Sequence, residues 1–442
     1  MSDKSPAATV LVPAEDDCPL SAALQTRNIA CFAAVWCLIY LTAPVSYVGV
    51  THANLLHDLG NSDTVANLPH AVYQWMTALP VLVAWFLPQA RWLKPLLVGS
   101  FAAKAALTAL VAAAIWLRWP AAVVTGCVLL FAGVFGAANG VMLMALWEVV
   151  RRGVSTARRG VTLGFSFGIG PIAACAGSLL QQMLMGKEPL TGYTFGMWFP
   201  DSYLALFAGT LPVMVLCVFL GAAFQIPLPV DEPVASSRTA EILDGLRQFA
   251  TSRPVVLAAV GYLLVYSGGN AIFDNVSLHA KDVLGQATPD TVGLQNFLRF
   301  GFKAVAGMLL GWLLAKTNPK AALLATTAIL LAGMAWALNV SGWWYLLTAG
   351  LLGAGELFGV YFPNYVTTAS AKSQVRANIA YLNLLGSLVG FASVIFGQIS
   401  DQFGRIASFH TATGVLILAM LLIAFALPAR PAPREESSAA AA

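Results

Sequence analysis

Charged residues are scarce in this 442-residue chain. Lys and Arg number 24 and Asp and Glu 20, so charged side chains make up 10% of the sequence and hydrophobic ones 58%. A soluble domain carries about 25% charged residues, and no single globular core could bury such an apolar excess. The shortage excludes an ordinary soluble protein, and a net charge of +4 is too small to argue for nucleic acid as a partner.

The residue patterns that carry most enzyme chemistry are also missing. None of the six cysteines has metal-ligand spacing or an obvious disulfide partner. The sequence has no phosphate-binding Gly-rich loop followed by Lys-Ser/Thr and no defensible Ser/His/Asp arrangement. We therefore expect neither a membrane-embedded enzyme nor an ATP-driven pump, and no cofactor. Residues 1–27 include Asp16 and Asp17 and contain no apolar core, so we expect no cleavable signal peptide.

What the chain does contain is a series of twelve apolar stretches. Each has roughly 20 residues, enough to cross a hydrocarbon layer of about 30 Å as a helix. The predicted spans are 28–49, 67–87, 95–117, 121–150, 160–184, 202–224, 255–276, 291–314, 320–339, 343–368, 377–398 and 407–427. The pattern predicts an all-α polytopic membrane protein with lipid as its surroundings.

The distribution of basic residues predicts the orientation. With a cytoplasmic amino terminus, 17 Lys and Arg of the tails and loops lie on the cytoplasmic side, and four, Arg118, Lys187, Lys281 and Arg405, lie on the other. Cytoplasmic loops carry the excess of Lys and Arg. We therefore expect both termini in the cytoplasm and, for a bacterial protein, a location in the inner (plasma) membrane.

The twelve spans divide into two similar halves. The polar segment 225–254 separates six spans from six, and Gly136-Ala-Ala-Asn139 in span 4 resembles Gly353-Ala-Gly-Glu356 in span 10. Arg159 and Arg376 open the following spans at the same offset of 217 residues. Such internal repeats are typical of secondary transporters. The predicted parts are a tail at 1–27, bundles at 28–224 and 255–427, a cytoplasmic linker at 225–254 and a tail at 428–442.

Short loop motifs resemble signatures of the major facilitator superfamily. The loop after span 8 reads Gly311-Trp-Leu-Leu-Ala-Lys316-Thr-Asn-Pro-Lys320, which keeps the cationic ends of the family's loop but lacks its acid. The loop around Arg91 is more degenerate. Span 5 begins at Arg159 and carries the Gly170-Pro171 pair. The end of span 11, with Asp401 and Arg405, has the fuller pattern on the outer side.

The resemblance implies a transporter of two six-helix bundles that works by alternating access, usually as a monomer. It also implies that spans 1, 4, 7 and 10 line the cavity. The acids missing from the loops leave the usual cytoplasmic salt bridges in question. Glu148, beside Arg151 and Arg152 at the inner end of span 4, is a candidate for a gate or a surface ion pair.

Polar groups inside the spans are the candidate binding and coupling residues, because an ionisable group in hydrocarbon costs at least ~2.5–3.5 kcal/mol. Tyr266, Asn270 and Asp274 recur every four residues in span 7, and Arg299 and Lys303 share a face of span 8. With Glu356 and Asn139 they complete the candidate set. The two cations form a salt-bridge network with Asp274 or Glu356 or an anion-binding patch, and both can coexist because a solute could compete for the same cations.

Other polar residues are weaker candidates. His70, Tyr73 and Gln74 cluster early in span 2 and could offer hydrogen bonds to a polar solute. Lys104 lies in a span that the resemblance makes peripheral, so we expect it to pack against span 2. His52, His57 and Asp58 are placed in an outer loop with spacing too loose for a metal site.

The sequence therefore predicts secondary active transport of a small organic solute. Arg299 and Lys303 favour an anionic substrate, and a deep Glu356 is a hypothetical proton-coupling site, with a coupling cation as the alternative. A carrier of neutral sugars or nucleosides, or a drug exporter, has the same fold. A membrane sensor that does not transport is the alternative of another class.

Overall fold

The computed structural model describes residues 18–87, 89–186, 192–227, 238–285, 289–371 and 374–431, and within these ranges the regular structure is helical. The first half contains α1–α9: Ala22–Leu41, Ala43–Ser46, Val50–Asp58, Asp63–Met76, Leu79–Phe86, Leu93–Trp116, Ala121–Gly153, Thr156–Met185 and Asp201–Ala223. The second half follows the connecting helix α10, Arg238–Thr251, and contains α11–α19: Arg253–Gly269, Phe273–Leu284, Pro289–Lys316, Pro319–Asn339, Leu347–Gly355, Phe358–Ala369, Val375–Gly386, Val389–Phe403 and Arg405–Ala426.

Ten of the predicted spans are helices long and apolar enough to cross a membrane. Spans 2 and 5 are not among these ten. Span 2 is divided at Thr77–Ala78 into α4 and α5, and Pro80 lies in the first turn of α5, where its missing N–H is tolerated. Span 5 is the 30-residue helix α8, and the apolar stretch within its described part is Ile169–Met185. The predicted all-α membrane fold is confirmed.

Two spans are longer than the sequence predicts. Span 1 does not end at residue 49 but is followed directly by the short helix α3, and span 7 continues through α12. His52 is therefore not in an outer loop. It is fully buried in α3 and stacks on Phe131 with ring centroids 5.2 Å apart. Apolar periodicity does not show these extensions, because α3 and α12 are polar sequences buried inside the protein.

The two halves meet along two helix pairs. Span 5 (α8) packs on span 8 (α13), and the helix that carries Asp63 (α4) packs on the helix that carries Asp401 (α18). The start of α1 lies beside the ends of spans 4 and 6, since the Asn28 amide donates to the carbonyls of Gly153 and Gln225 at 3.0 and 2.8 Å. We call this side the terminal face and the opposite side the far face.

Small residues permit the close approach of the helices. A Cβ added to Gly293 in α13 would lie 2.3 Å from the Gln182 backbone nitrogen, and one added to Gly390 in α18 would lie 2.6 Å from the Ala71 carbonyl oxygen. Because such distances are impossible for a real side chain, both helix pairs that join the halves depend on glycine at their contact points.

Candidate functional site

A polar cavity of about 210 Å³ lies between the two halves. Aromatic rings form much of its wall: Tyr47, Tyr73, Tyr262, Tyr266, Phe273 and Phe358. Polar and charged side chains complete it: His70, Gln74, Asn270, Asp274, Arg299, Lys303 and Glu356. Ligand sites combine apolar surface with a few convergent polar groups, and here both halves contribute to the wall.

Three candidate residues converge on one carboxylate. Glu356 lies at the break between α15 and α16 and is 6% exposed. Its Oε1 accepts a hydrogen bond from Arg299, and its Oε2 accepts one from Lys303 at 3.1 Å. The Asn270 amide donates to Oε1 at 3.2 Å. The two cations thus pair with Glu356, and the anion-binding patch stays a prediction.

The backbone around this cluster explains how the charges meet. A Cβ on Gly353 would lie 2.4 Å from the Arg299 carbonyl oxygen, so glycine brings spans 8 and 10 together at this point. The Arg299 guanidinium carbon also lies 4.3 Å from the Phe273 ring centroid, a favourable cation–π distance. Arg299 Nε is buried and has no hydrogen-bond partner.

Asp274 belongs to a second cluster. It is 1% exposed, and its Oδ2 lies 3.2 Å from His70 Nδ1, across the boundary between the halves. His70 Nε2 lies 3.2 Å from the Gln74 amide nitrogen, which also donates to the Tyr266 hydroxyl at 2.8 Å. Span 7 continues beyond Asp274 through α12, so this carboxylate lies inside the protein and not at the end of the span.

Asn139 lies one layer behind the cavity wall. Its Oδ1 accepts from Lys104 Nζ at 2.9 Å, and its Nδ2 donates to the Tyr73 hydroxyl at 2.9 Å. Lys104 is 1% exposed and sits 4.5 Å from the Phe135 ring centroid. The expected packing of Lys104 against span 2 is wrong, since its contacts are with span 4.

The far face holds an ion-pair network between the halves, which we call the far-face latch. Arg405 binds both oxygens of Asp63 at 2.8 Å and also reaches Asp282 at 2.8 Å. Asp401 accepts from the backbone nitrogens of Asp63 and Thr64 at 2.8 and 3.0 Å, and thus caps α4 from the other half. Lys281 pairs with Asp58 nearby.

The remaining motif candidates lie away from the cavity. Glu148 pairs with Arg151 and Arg152 on its own helix, Arg159 donates to the carbonyls of Val154 and Arg151, and Arg91 stacks over Trp92. Lys320 donates to the Ala424 carbonyl. The Arg376 side chain lies outside the described residues.

The two motif glycines, Gly170 and Gly311, differ in their surroundings. Gly170, next to Pro171, faces the Tyr40 ring, which a Cβ would approach to 2.5 Å. Gly311 has open space around it, and Lys316 is exposed. In the described part of the chain, no group of three His, Cys, Asp or Glu side chains is arranged to hold a metal ion.

The sequence did not single out Tyr47, Phe273 or Phe358 as wall residues. Aromatic residues are common on helix faces in any membrane protein, so no sequence signal separated these three from packing residues. His70 and Gln74 had a signal, because their four-residue spacing places them on one face of α4.

Comparisons with known structures agree with this architecture. A D-xylose-proton symporter matches with a TM-score of 0.68 and 14% identity over 92% of this chain and 99% of that one. A variant of the nucleoside transporter NupG matches with a TM-score of 0.66 and 12% identity over 91% and 99%. The E. coli fucose:proton symporter FucP matches with a TM-score of 0.59 and 12% identity over 91% and 99%.

In sequence, no family model and no curated protein matches the chain. The structural similarity nevertheless defines the class: an integral membrane protein with the fold of twelve-helix secondary transporters. That fold is the one of the major facilitator superfamily, and the predicted resemblance is confirmed at the level of the fold.

Proposed function

We propose that this protein is a secondary active transporter that moves a small organic solute by alternating access of its two six-helix bundles, 28–224 and 255–427. The observation that carries the proposal is the polar cavity between the halves, with the far-face latch on one side of it. A solute bound there contacts both halves, so rocking of the bundles would expose it to one face and then the other.

The charges around Glu356 support an anionic solute. Arg299 and Lys303 together bring two positive charges to one carboxylate, which leaves one positive charge of the cluster uncompensated. A solute carboxylate could therefore bind Arg299 and Lys303 without removing Glu356. We assign Tyr266 and Asn270 to the same binding site, because both line the cavity.

Proton coupling through Glu356 is the second part of the proposal. Both carboxylate oxygens are occupied by cations, so a proton and an anionic solute affect the same three side chains. Protonation of Glu356 would release the two cations to a solute anion, which links the two binding events. A coupling cation other than the proton would have to displace Arg299 and Lys303 from Glu356. The geometry therefore favours the proton as the coupling ion.

A neutral solute is the alternative, and the aromatic wall favours it. Rings with hydroxyl and amide groups between them suit a sugar or a nucleoside, and the similar structures named above include a nucleoside transporter and two sugar–proton symporters. In that case Arg299, Lys303 and Glu356 stabilise the fold, and Tyr262, Tyr266 and Asn270 bind the solute.

Uptake into sealed vesicles tests these alternatives. Purified full-length protein is reconstituted and offered labelled carboxylates, sugars, nucleosides and amphiphilic drugs with and without a pH gradient. Uptake of carboxylates that a pH gradient drives, and that Arg299→Ala and Lys303→Ala weaken in correctly folded protein, supports the anion proposal. Uptake of neutral solutes alone with unchanged affinity in both variants contradicts it, and no flux of any solute contradicts transport.

The location and assembly are also proposals. The basic residues favour cytoplasmic termini in a bacterial inner membrane, and the cavity is complete within one chain, which supports a monomer. Protease accessibility of a carboxyl-terminal tag in inverted and right-side-out vesicles tests the orientation.

A further inference from the structure

Two tyrosines from opposite halves belong to the cavity wall. Tyr73 is on span 2 and Tyr266 on span 7. Each hydroxyl oxygen accepts a hydrogen bond from a side-chain amide: Asn139 donates to Tyr73 at 2.9 Å and Gln74 donates to Tyr266 at 2.8 Å. The direction in which each hydroxyl hydrogen points depends on the contacts that fix the orientation of its amide partner.

The Asn139 amide is held by Lys104. An ammonium group only donates hydrogen bonds, so the Asn139 oxygen 2.9 Å from Lys104 Nζ must accept. The amide nitrogen is then turned towards Tyr73 and donates to it. Because the Tyr73 oxygen accepts on that side, its O–H remains available to donate to a solute in the cavity.

The contacts of Lys104 indicate no other role for this side chain. It is 1% exposed, and in the described part of the chain its Nζ has no carboxylate partner, only Asn139 and the Met142 sulfur at 3.5 Å. A buried cation is costly in hydrocarbon. Its contact with Asn139 is the one through which it affects the cavity.

The Gln74 amide is held from the opposite end by Asp274. An ionised carboxylate only accepts, so His70 Nδ1, 3.2 Å from Asp274, carries a proton. In a neutral imidazole Nε2 then accepts from Gln74, at 3.2 Å. The second N–H of the same amide donates to Tyr266, and the Tyr266 O–H is likewise left for the cavity.

We propose that Tyr73 and Tyr266 both present hydrogen-bond donors to the cavity, which therefore selects a solute with acceptor atoms, such as carbonyl, carboxylate or ether oxygens, between these two tyrosines. Lys104 and His70 act as positioning residues: neither needs to touch the solute, and each fixes the direction of one tyrosine hydroxyl. The inference deepens the proposed function and rests on its assumption that this cavity binds the solute.

Two nearly isosteric variants reverse the hydroxyls one at a time. Asn139→Asp places acceptors at both Lys104 and Tyr73, so the Tyr73 hydroxyl must donate inwards. Gln74→Glu has the same effect on Tyr266. Each variant is the control for the other, because it changes charge and shape similarly but acts on a different tyrosine.

Infrared spectroscopy of protein with ring-labelled tyrosine measures the hydroxyl directions without any solute. The C–O stretching band distinguishes a donating from an accepting phenol, and subtraction of the Tyr73→Phe or Tyr266→Phe spectrum isolates each residue. We expect Asn139→Asp to shift only the Tyr73 band and Gln74→Glu only the Tyr266 band. An unshifted Tyr73 band in Asn139→Asp overturns the inference.

Binding of pyridine N-oxide and phenol to the purified protein then tests selectivity. Both are neutral six-membered rings with one oxygen, but pyridine N-oxide only accepts whereas phenol also donates. We expect wild type to prefer pyridine N-oxide, and each variant to reduce that preference by about three- to tenfold, the worth of one hydrogen bond. An equal loss of affinity for both probes would mean a damaged cavity and contradict the proposal.

The proposed function fails differently. If vesicles show no flux of any solute while the tyrosine bands shift as expected, transport is wrong and the donor arrangement stands. If neither ring probe binds the wild-type protein, the infrared result alone decides whether the proposed hydroxyl directions are kept or rejected.

Discussion

Glu356 illustrates how single residues determine the chemistry of this cavity. Its two oxygens are divided between Arg299 and Lys303, and Asn270 adds a third donor. A buried ion pair gains little net stability when it is complete but loses much when one partner is removed. The cluster is therefore sensitive to any change that leaves a charge alone, including the arrival of a proton or a solute.

Glu356→Gln is the first test at this scale. The variant leaves two buried cations without their carboxylate, so we expect a loss of about 3–5 kcal/mol in the free energy of unfolding and the loss of any response to a pH gradient. Thermal unfolding and vesicle uptake measure the two effects. Full uptake that still responds to the gradient would show that Glu356 is not the coupling residue.

Asp201→Asn is the matched control. Asp201 pairs with Arg118 at 2.5 Å, but both side chains are 55% exposed. Exposed pairs contribute only about 0.2–1 kcal/mol, so this variant should unfold near the wild-type temperature and transport normally.

The sequence predicted the members of this cluster but not their partners. Four-residue spacing places Arg299 and Lys303 on one face of a helix, and depth in an apolar span marks Glu356. Spacing within a helix contains no information about which helix lies opposite. For that reason Asp274 and Glu356 remained equal alternatives, and the link between Lys104 and Asn139 was not foreseen.

At the scale of elements, helix breaks and glycines position the site. Spans 1, 2, 7, 10 and 11 each consist of two or more helical segments, and Asn270 and Glu356 both lie at such breaks. A break turns side chains off the regular helical face, so periodicity alone places them poorly. Composition predicts the spans because hydrophobicity extends over 20 residues, whereas a break depends on only two or three.

Gly136→Ala and Gly126→Ala, in the same helix α7, test the role of close packing. A Cβ at Gly136 would lie 2.3 Å from the Tyr73 carbonyl oxygen, while Gly126 has nothing within 4 Å. Gly136→Ala must push span 2 away from span 4, so we expect clear destabilisation, about 1–3 kcal/mol as for other overpacked sites, and weaker solute binding near Tyr73.

Gly126→Ala should change the stability in the opposite direction. Alanine is favoured over glycine inside a helix by about 1 kcal/mol, so Gly126→Ala should be neutral or slightly stabilising. Thermal unfolding of both proteins in the same detergent makes the comparison. Equal stability of the two variants would contradict the packing at Gly136.

For the whole molecule, the far-face latch closes one side of the boundary between the halves. Asp63 and Asp58 belong to the first half and Arg405, Asp401 and Lys281 to the second. Alternating access requires such contacts to break. The motif-like sequence at the end of span 11 lies on the far face, but its partner on α4 could not be predicted, because that contact joins residues more than 330 positions apart.

The latch should open when Arg405 is replaced by Gln. Hydrogen bonds to charged groups contribute about 1.5–3 kcal/mol, so we expect the ratio of closed to open molecules to fall about tenfold or more. Spin labels at Leu117 and Gln402, in a background without the native cysteines, report the distance across the far face. Lys316→Gln, an exposed cation on the terminal face, should leave the distances unchanged.

The pH dependence of the same distance follows from Asp63, which precedes the second predicted span. Burial alone would raise its pKa, but the hydrogen bonds from Arg405 and Ser400 outweigh it, and the pKa of Asp63 lies below its usual value. The stabilisation is therefore complete above the pKa that this carboxyl has in the open form, and is lost as pH falls through the lower pKa of the closed form. We expect a closed far face from neutral pH down to the ordinary range of aspartate, about 3.9, and opening only below it. Opening between pH 7 and pH 5 in the wild type would show that another group, such as His57, controls the latch.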